Sequence, residues 1–504
     1  MTDSLTDFLS AMHDLLGPDW VNTAPDTLYR YGENTLPGGN RPPAAVLYPS
    51  STAEVQAIVK AANRHGVALH PISSGNNIGL GTRSAMQAGQ VVVDLGRRMN
   101  RILEVNDTLC YAEIEPGVSY QALHDELVRR GNHLMSDCTS GPPQGSVLGN
   151  AMDRGAGYTP SFDHFGAICG MEIVLGNGEV IRTGDGGMDS SRMWHVSKYS
   201  FGPALDGLFV QSNFGIVTRA GIWLQMRPPA MKTFHFSFPD DADLGDILDL
   251  VRPLKLTNLV PSLFRVANDL WLIAEHETHP EYARTQGRTA LSDSARRELQ
   301  ARHGLGAWVA SGAVYGASAQ ALDPVVDRIR RHFCKSGRAR YISDEEADAL
   351  PGLSTAKSVF YGIPSSQELR QCKWRPGGGL TTFTPGTPLV GEQALRLQDL
   401  ARAILARHGL EYISMWVCAA RFARGLHQIV FNRENPEERQ RADDAYLELA
   451  RSFAEAGYSV GRSPIDYQAL HFGQLSPEVR ALQAGIKDLF DPRHVLSPAR
   501  YGLS

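Results

Sequence analysis

Glycines and small polar residues occur together in one segment with the spacing of an anion-binding loop. Residues 73–81 read S-S-G-N-N-I-G-L-G, which places glycines at 75, 79 and 81. Glycine allows a positive φ and lets backbone N–H groups approach a ligand closely, as a pyrophosphate requires. The segment is not the G-x-G-x-x-G of a Rossmann fold, and it is not a P-loop because no Gly-Lys-Ser/Thr follows it. Taken alone, the loop also fits a purely structural turn.

A second glycine-rich segment strengthens the case for a bound ligand. Residues 145–150 read G-S-V-L-G-N, and residues 154–160 read R-G-A-G-Y-T-P. Two loops of small residues within one α/β unit favour an extended ligand that lies across both.

Alternating strands and a helix position the first loop. The segment A-A-V-L-Y-P predicts a buried strand, and Ser51 with Glu54 forms a capping box for a helix that ends at Gly66. The strand V-A-L-H-P-I then leads into the loop, and Q-V-V-V-D-L follows it as a third strand.

A second α/β block spans residues 111–223. It contains a helix near residues 119–130 and a hairpin that turns at Asn177-Gly178. Arg-Pro-Pro at residues 227–229 interrupts the pattern and marks the predicted domain boundary.

Amphipathic helices rich in Arg and Ala alternate with strands beyond this boundary. The predicted helices are residues 292–303, 323–333 and 391–408, and the predicted strands are residues 260–276, 377–385 and 412–422. No further glycine-rich phosphate loop accompanies them, which favours an α+β domain that covers a substrate.

Composition excludes several classes of function. The 504 residues carry 49 Lys+Arg and 54 Asp+Glu, a formal net charge of −5, so nothing favours a nucleic-acid partner. No apolar run approaches the roughly 18 residues that span a membrane, and no basic segment begins a signal peptide. The cysteines at 110, 138, 169, 334, 372 and 418 show no metal-ligand spacing. We therefore expect a reduced, cytoplasmic protein without a metal site.

Five motifs in order along the chain carry a family resemblance. They are P-x-S-x-x-E-V-Q-A-I-V, S-S-G-N-N-I-G-L-G, G-S-V-L-G-N-A-M-D-R-G-A-G-Y-T-P, G-M-E-I-V-L-G-N-G-E and F-G-I-V-T-R-A-G-I-W-L. With the tail D-P-R-H-V-L-S-P-A-R-Y-G, they resemble the vanillyl-alcohol oxidase / p-cresol methylhydroxylase (VAO/PCMH) family of flavoproteins, near its 4-phenol oxidase branch.

The resemblance implies FAD and a two-domain α+β fold. Residues 1–228 and 458–504 would form a discontinuous FAD-binding domain of two α/β subdomains, and residues 229–457 a cap built on an antiparallel sheet with helices. The expected cofactor-binding residues are Ser74, Gly75, Asn76, Asn77, Ile78, Gly79 and Gly81 at the pyrophosphate, Gly145, Ser146, Asn150, Gly155 and Gly157 beside the flavin and ribityl chain, Glu172, Ile216 and Val217 along the adenosine, and Arg500 near the ring. The side chains of Ile216 and Val217 fit an ordinary strand core equally well.

The family's phenol site is altered in this chain. Relatives bind a phenolate with two tyrosines and an arginine, but here the matching residues are Leu80, Gly461 and Arg462. An aspartate that acts near flavin N5 in relatives is replaced by Gly141, and Asp137, four residues away, cannot be assumed to substitute for it. We expect Arg462 to hold an anionic group of the substrate.

The family's flavin-linking histidines are also missing. Several relatives attach the flavin through one of two adjacent histidines, and Arg424 and Gly425 stand at those positions here. His427 lies two residues farther along, about 7 Å if the segment is a strand, so non-covalent FAD is favoured over a link through His427. Arg424 fits a flavin or substrate contact, but a solvated arginine on the cap is the simpler expectation.

Other residues are candidates to replace the missing groups. Tyr467 and His471, four residues apart, would share one helix face, and we expect them as catalytic candidates beside Arg462. Tyr361, Trp374 and Trp416 come from cap segments. Each of these aromatic residues also fits a packed core.

The expected activity is that of an FAD-dependent oxidase or dehydrogenase. It would abstract a hydride to flavin N5 from a C–H next to the ring of a 4-substituted phenol or similar compound, through a quinone-methide-like intermediate. An oxidative decarboxylase of secondary metabolism acting on an aryl carboxylic acid is one alternative, because loss of CO2 needs no base to activate water. A flavin-binding protein without catalysis is another. The expected partners are a small aromatic substrate, O2 or another electron acceptor, and a second copy in a homodimer.

Overall fold

The N-terminal part of the chain forms a small sheet packed with helices. The computed structural model describes residues 3–350 and 352–503. The strands of this sheet, in the spatial order β1-β2-β4-β3, are β1 (Val21–Asn22), β2 (Ala45–Leu47), β3 (Leu69–Ile72) and β4 (Val91–Asp94). The helices are α1 (Asp3–Leu16), α2 (Pro25–Gly32) and α3 (Thr52–His65). Strands β2, β4 and β3 run parallel, so their carboxyl ends meet at one edge, where the first glycine-rich loop begins.

Local sequence signals explain why α3 has these bounds. Ser51 precedes the helix, and its Oγ accepts a hydrogen bond from the amide of Glu54 at 3.2 Å. Gly66 ends the helix with φ 64°, a left-handed conformation that glycine adopts without strain. Val55 and Ile58 are fully buried against the strands. The predicted order of strand, helix, strand, loop and strand is confirmed.

A second, antiparallel sheet follows in the order β5-β6-β10-β8-β9, with a separate pair of short strands, β7 and β11. The strands are β5 (Ile102–Asn106), β6 (Tyr111–Ile114), β7 (Leu134–Met135), β8 (Ile168–Leu175), β9 (Val180–Arg182), β10 (Gly215–Trp223) and β11 (Gln225–Met226). Helices α4 (Tyr120–Arg129) and α5 (Val147–Met152) accompany them. The predicted hairpin turns at Gly178, with φ 84°.

The middle of the chain forms a large antiparallel sheet in the order β15-β12-β14-β13-β18-β19-β16, with β17 paired to β19. The strands are β12 (Ala230–Phe238), β13 (Phe264–Asn268), β14 (Trp308–Gly316), β15 (Arg340–Ile342), β16 (Gly379–Phe383), β17 (Gly386–Pro388), β18 (Ile413–Cys418) and β19 (Phe422–Phe431). The helices are α6 (Asp243–Leu256), α7 (Asp269–Ile273), α8 (Tyr282–Thr285), α9 (Asp293–His303), α10 (Ala319–Phe333), α11 (Asp344–Asp348), α12 (Leu353–Phe360), α13 (Gly391–Arg407) and α14 (Pro436–Glu455).

The two faces of the large sheet have different partners. Helices α6, α10, α13 and α14 cover one face and bury a core that includes Phe236, Trp416 and Phe431. Successive side chains of a strand point to opposite faces, so Met415 and Leu426 belong to the other face. Their side chains pack with the core of the second sheet instead.

One predicted strand was too long. Residues 260–276 contain β13 only as far as Asn268, whose Oδ1 accepts a hydrogen bond from the amide of Trp271 at 2.9 Å. This cap starts α7, so the apolar run that follows is helical.

The C-terminal tail returns to the first sheet after α15 (Gln468–Gly473) and α16 (Pro477–Phe490). Leu69 of β3 donates its amide hydrogen bond to Val495 and accepts one from Ser497, each at 2.7 Å. Val495 and Leu496 share a core with α1 and α3. The predicted α+β fold class is confirmed. None of the helices within the described ranges is long and apolar enough to cross a membrane.

Candidate active site

A cavity of about 380 Å³ lies where the loops of the first two sheets, the C-terminal tail and the face of the large sheet opposite its helices meet. Most of the predicted cofactor-binding residues line it: Ser74, Gly75, Asn76, Asn77, Ile78, Gly81, Gly145, Ser146, Asn150, Gly157, Ile216, Val217 and Arg500. Arg462 lines it as well. The structure therefore brings the two glycine-rich segments and the tail together, although they are far apart in sequence.

The first glycine-rich loop offers free backbone donors to the cavity. The amides of Ser74, Gly75 and Asn76 donate to no acceptor within the described part of the chain. Gly75 has φ 64° and Gly81 has φ 142°. A β-carbon on Gly81 would lie 2.8 Å from Cγ2 of Ile465, so glycine also lets the tail pack against this loop. Unpaired amides at a tight turn are suited to a pyrophosphate.

Three buried polar atoms in the cavity wall lack partners. Oγ1 of Thr82, Oγ of Ser212 and Oδ1 of Asn213 form no hydrogen bond with the residues that the structure describes. A buried polar group without a partner costs about 1–3 kcal/mol, so a ligand that bonds to these atoms would stabilise the fold. With the loop amides, they form an extended polar wall that fits the FAD implied by the motifs.

Asp153 connects the loop to the tail. Its Oδ2 accepts hydrogen bonds from Nη2 of Arg462 at 2.7 Å and from Nδ2 of Asn77 at 3.2 Å. Its Oδ1 accepts one from the Tyr501 hydroxyl at 3.2 Å. The charge of Arg462 is therefore compensated within the protein. Asp153 was not among the predicted site residues, although it is the one carboxylate within the motif A-M-D-R-G-A-G.

Arg424 enters the cavity from β19 and occupies space that Gly461 leaves open. A β-carbon on Gly461 would overlap Nη1 and Cζ of Arg424. Within the described residues, the Arg424 side chain makes no ion pair and no hydrogen bond. Burial lowers its pKa below the ordinary value, and the nearby charges of Arg462 and Arg154 lower it further. The expectation of a solvated cap arginine was wrong.

His427, which the sequence left open as a covalent attachment point beside the favoured non-covalent FAD, faces away from the cavity and does not line its wall. Side chains alternate along β19, which turns Arg424, Leu426 and Gln428 toward the cavity and His427 toward the helices. The ring is completely buried, and Nδ1 lies 2.8 Å from Oγ of Ser414. Burial lowers its pKa to about 3.

Tyr467 and His471 also lie outside the cavity wall, in contrast to their predicted catalytic role. Tyr467 stacks on Tyr446 of α14 with ring centroids 3.6 Å apart, and its hydroxyl donates to Asp443 at 2.8 Å. Nε2 of His471 lies 3.1 Å from the Tyr446 hydroxyl. Tyr467 ends a short 3-10 turn just before α15, so the predicted shared helix face is wrong, although both residues contact Tyr446 of α14.

The cap aromatics Tyr361, Trp374 and Trp416 do not line the cavity either. The two tryptophans are completely buried. Tyr361 donates its hydroxyl hydrogen bond to the carbonyl of Met231 at 3.4 Å. All three residues serve packing.

Three predicted cofactor contacts, Glu172, Gly79 and Gly155, do not line the cavity and have structural roles instead. Glu172 accepts hydrogen bonds from Arg219 at 2.7 Å and from Arg182 at 3.0 Å, so an ion-pair cluster beside β8 uses its charge. A β-carbon on Gly79 would lie 2.8 Å from Oγ1 of Thr382, and one on Gly155 would overlap the Asn150 side chain. These glycines permit close packing behind the wall.

A buried charge cluster lies under the cap side of the cavity. Glu368 lines the cavity and is ion-paired with Arg265, whose Nη2 lies 3.4 Å from Oε1 of Glu275. Oε2 of Glu275 has no partner among the described residues. Burial and the neighbouring Glu368 raise the pKa of Glu275 to about 8. One arginine thus faces two carboxyl groups, which together retain a proton at neutral pH. Glu368 lies 103 positions from Arg265 along the chain, so no sequence motif indicates the cluster.

Comparisons with known proteins agree with this geometry. Residues 43–184 match the model of the FAD binding domain. The chain is 35% identical to the flavoprotein subunit of 4-cresol dehydrogenase [hydroxylating] from Pseudomonas putida, over 97% of this chain and 94% of the relative. It is 32% identical to 1'-carboxy-chondrochloren decarboxylase from Chondromyces crocatus, over 99% and 98%.

Two solved structures share the fold over the whole chain. The structure of p-cresol methylhydroxylase with substrate bound has a TM-score of 0.97 at 34% identity, covering 100% of this chain and 98% of that one. The isoeugenol complex of 4-ethylphenol oxidase from Gulosibacter chungangensis has a TM-score of 0.96 at 31% identity, with the same coverage. The chain belongs to the VAO/PCMH family of FAD-dependent oxidoreductases.

Proposed function

We propose that this oxidoreductase abstracts a hydride from a carbon atom attached to the ring of a small aromatic substrate. The observation that carries the proposal is the composition of the cavity beyond the cofactor loops. There the face of the large sheet opposite its helices presents apolar side chains, and arginines lie beside them. FAD, when bound, supplies the hydride acceptor.

The apolar part of the cavity is suited to an aromatic ring. Tyr158, Trp271, Met415 and Leu426 contribute to its wall. The Tyr158 hydroxyl lies 3.0 Å from Oγ of Ser140, and burial raises its pKa above the ordinary value, so Tyr158 remains neutral. The named substrates of similar proteins, 4-cresol and 4-ethylphenol, support the same class.

The residues around the ring orient the substrate and exclude water. The positive charge of Arg424 and the neighbouring arginines favours the anionic form of the substrate. The anionic ring has more electron density than the neutral ring and loses a hydride more readily. The family's aspartate is absent, and Glu368 is the other carboxylate of the described cavity wall besides Asp153. Each of these two carboxylates is ion-paired, with Arg265 and Arg462 respectively. Neither one is a free base in the structure.

A second candidate function is oxidative decarboxylation of an aryl carboxylic acid. Arg424 favours it, because this cation lines the cavity and forms no ion pair or hydrogen bond with the described residues, while its Cζ lies 5.9 Å from the centroid of the Phe422 ring. The relative named 1'-carboxy-chondrochloren decarboxylase supports the same chemistry. Release of CO2 also removes the need for a free base in the wall.

We further propose that FAD is held without a covalent bond. The support is the alternation of side chains along β19, which turns His427 toward the helices and presents Arg424, Leu426 and Gln428 to the cavity. Acid precipitation that leaves the flavin in the supernatant tests the attachment.

We also propose the division between the domains. One domain comprises residues 1–228 and 458–504 and the other residues 229–457, because all strands of the large sheet lie between residues 230 and 431.

Anaerobic reduction of the bound flavin tests the activity. The holoenzyme is mixed with 4-alkylphenols and with 4-hydroxyphenyl carboxylic acids, and the flavin absorbance is followed without oxygen. Bleaching by any of these compounds supports the proposal. Release of CO2 together with an alkene product selects decarboxylation, whereas a hydroxylated product that keeps its carboxylate selects hydride abstraction alone. A flavin that no aromatic compound reduces would contradict both.

A further inference from the structure

We propose that Arg424 binds a carboxylate group of the substrate in a subsite that exists because residue 461 is glycine. The inference rests on the proposed function and specifies the substrate class of the same cavity. It assigns the selective contact to Arg424 of β19, whereas the sequence pointed to Arg462.

Arg462 is already engaged by the protein. Its Nε and Nη2 donate to Oδ2 of Asp153 at 3.2 and 2.7 Å, and its amide donates to Oγ1 of Thr384 at 3.0 Å. An arginine paired in this way has little attraction left for a second carboxylate, because its charge is compensated at hydrogen-bond distance.

Arg424 has no such partner. It is only partly exposed, and its side chain forms no ion pair or hydrogen bond with any residue that the structure describes. Arg154 and Arg462 add to the positive potential around it. Keeping an unpaired cation among other cations is unfavourable unless an anion enters.

The backbone at Gly461 is fixed so that the space remains open. Its amide donates to the carbonyl of Thr384 at 3.0 Å, and its carbonyl accepts from Nε2 of Gln211 at 2.9 Å. Any side chain at 461 would overlap the Arg424 guanidinium. A glycine in the tail and an arginine in β19 therefore form one unit, although Gly461 lies 37 positions after Arg424 in the sequence.

The free guanidinium favours a carboxylate over a phenolate. Its planar fork carries parallel N–H donors, and a carboxylate accepts two of them while a phenolate offers a single oxygen. Within the described cavity wall, Arg154, Arg424, Arg462 and Arg500 outnumber the carboxylates Asp153 and Glu368. An aryl substrate with a carboxylate side arm is therefore attracted to this end.

Ligand affinity measures the assignment directly. The probes are 3-(4-hydroxyphenyl)propionate and its methyl ester, and binding to the holoenzyme is followed by the change in flavin absorbance. The wild type should bind the acid at least about 10-fold more tightly than the ester. Arg424→Gln should weaken the acid about 10- to 100-fold, the range expected for hydrogen bonds to a charged group, and leave the ester within about threefold.

Three further variants separate charge, geometry and folding. Arg421→Gln removes an exposed charge just before β19 and should retain the preference for the acid. Arg424→Lys keeps the positive charge but not the planar fork, so it should keep part of the preference for the acid over the ester. Gly461→Ala displaces the guanidinium and should lose the preference even though Arg424 is present, which keeps the test valid if Arg424→Gln does not fold.

The outcomes distinguish this inference from the proposed function. Equal affinities of wild type and Arg424→Gln for the acid would overturn the subsite even if phenols reduce the flavin. Selective acid binding without any reduction would keep the subsite and contradict the activity. A wild type that binds neither probe would overturn both. A shift of the ligand-free flavin spectrum and its reduction potential in Arg424→Gln, with acid binding unchanged, would assign Arg424 to the cofactor.

Discussion

The two ends of the cavity bind by different physical means. The end at residues 73–81 offers backbone amides and neutral polar atoms, and its shape depends on glycines with positive φ. The end at β19 and the tail offers charged side chains, of which Arg462 is ion-paired and Arg424 forms no ion pair or hydrogen bond with the residues that the structure describes. A backbone surface changes only when the chain path changes, whereas a side-chain surface changes with each substitution. The first end is therefore suited to a constant cofactor and the second to a variable substrate.

The largest effect is expected from adding a side chain at the end of the cavity that offers backbone amides, residues 73–81. Gly81→Ala should lose most of the bound FAD, because φ 142° strains alanine and its β-carbon would lie 2.8 Å from Ile465. The ratio of flavin to protein absorbance after purification measures the loss.

Gly89→Ala is the matched control for Gly81→Ala. Gly89 also has a positive φ, 85°, but a β-carbon there meets nothing within 4 Å, and the residue does not line the cavity. This variant should retain FAD. Equal flavin content in both variants would contradict the role assigned to the close approach at Gly81.

The next effect is expected at Asp153, which joins the two ends. Asp153→Asn should release the charge of Arg462, so aryl carboxylates should bind about 10-fold more tightly. The same change should lower the free energy of unfolding by about 2 kcal/mol, because Arg462 and Tyr501 lose an ionised acceptor. Ligand titration and denaturant unfolding measure the two effects.

Asp466→Asn is the control for a lost ion pair elsewhere. Asp466 pairs with Arg41 outside the cavity wall. It should reduce stability without changing ligand affinity. Unchanged affinity in Asp153→Asn would show that Asp153 does not regulate the charge available at this end.

The same contrast explains how much the sequence predicted. The loop residues Ser74, Gly75 and Asn76 are consecutive and follow a strand, so local rules and the motif were sufficient to place them. The pair of Arg424 and Gly461 depends on β19 meeting the tail, and no local rule predicts that meeting. The sequence predicted that side chains alternate along the strand that contains His427. It did not predict which face of that strand the helices cover, and His427 lies on the covered face. The homodimer and the cytoplasmic location stay predictions.

A smaller effect is expected from pH at the buried pair of carboxyl groups. The pKa of Glu275 rises from 4.5 to about 8, so the folded protein binds this proton more tightly than the unfolded chain does. The resulting stabilisation is complete below about pH 4.5 and is lost as the pH rises through about 8. Glu275→Gln removes the titration. The difference in melting temperature, variant minus wild type, should therefore be at least about 2 °C larger at pH 8.5 than at pH 5. Parallel pH profiles of the two proteins would contradict the raised pKa.

The smallest effect is expected at Tyr467, which the sequence placed in the site and the structure places beside it. Tyr467→Phe keeps the stack on Tyr446 and loses only the hydrogen bond to Asp443. The cost should be about 1 kcal/mol of unfolding free energy, and turnover should stay within about twofold of the wild type. A tenfold loss of turnover at unchanged stability would return Tyr467 to the catalytic candidates. Because Tyr467 lies five residues after Arg462, that result would also mean that a change outside the cavity alters the position of Arg462 within it.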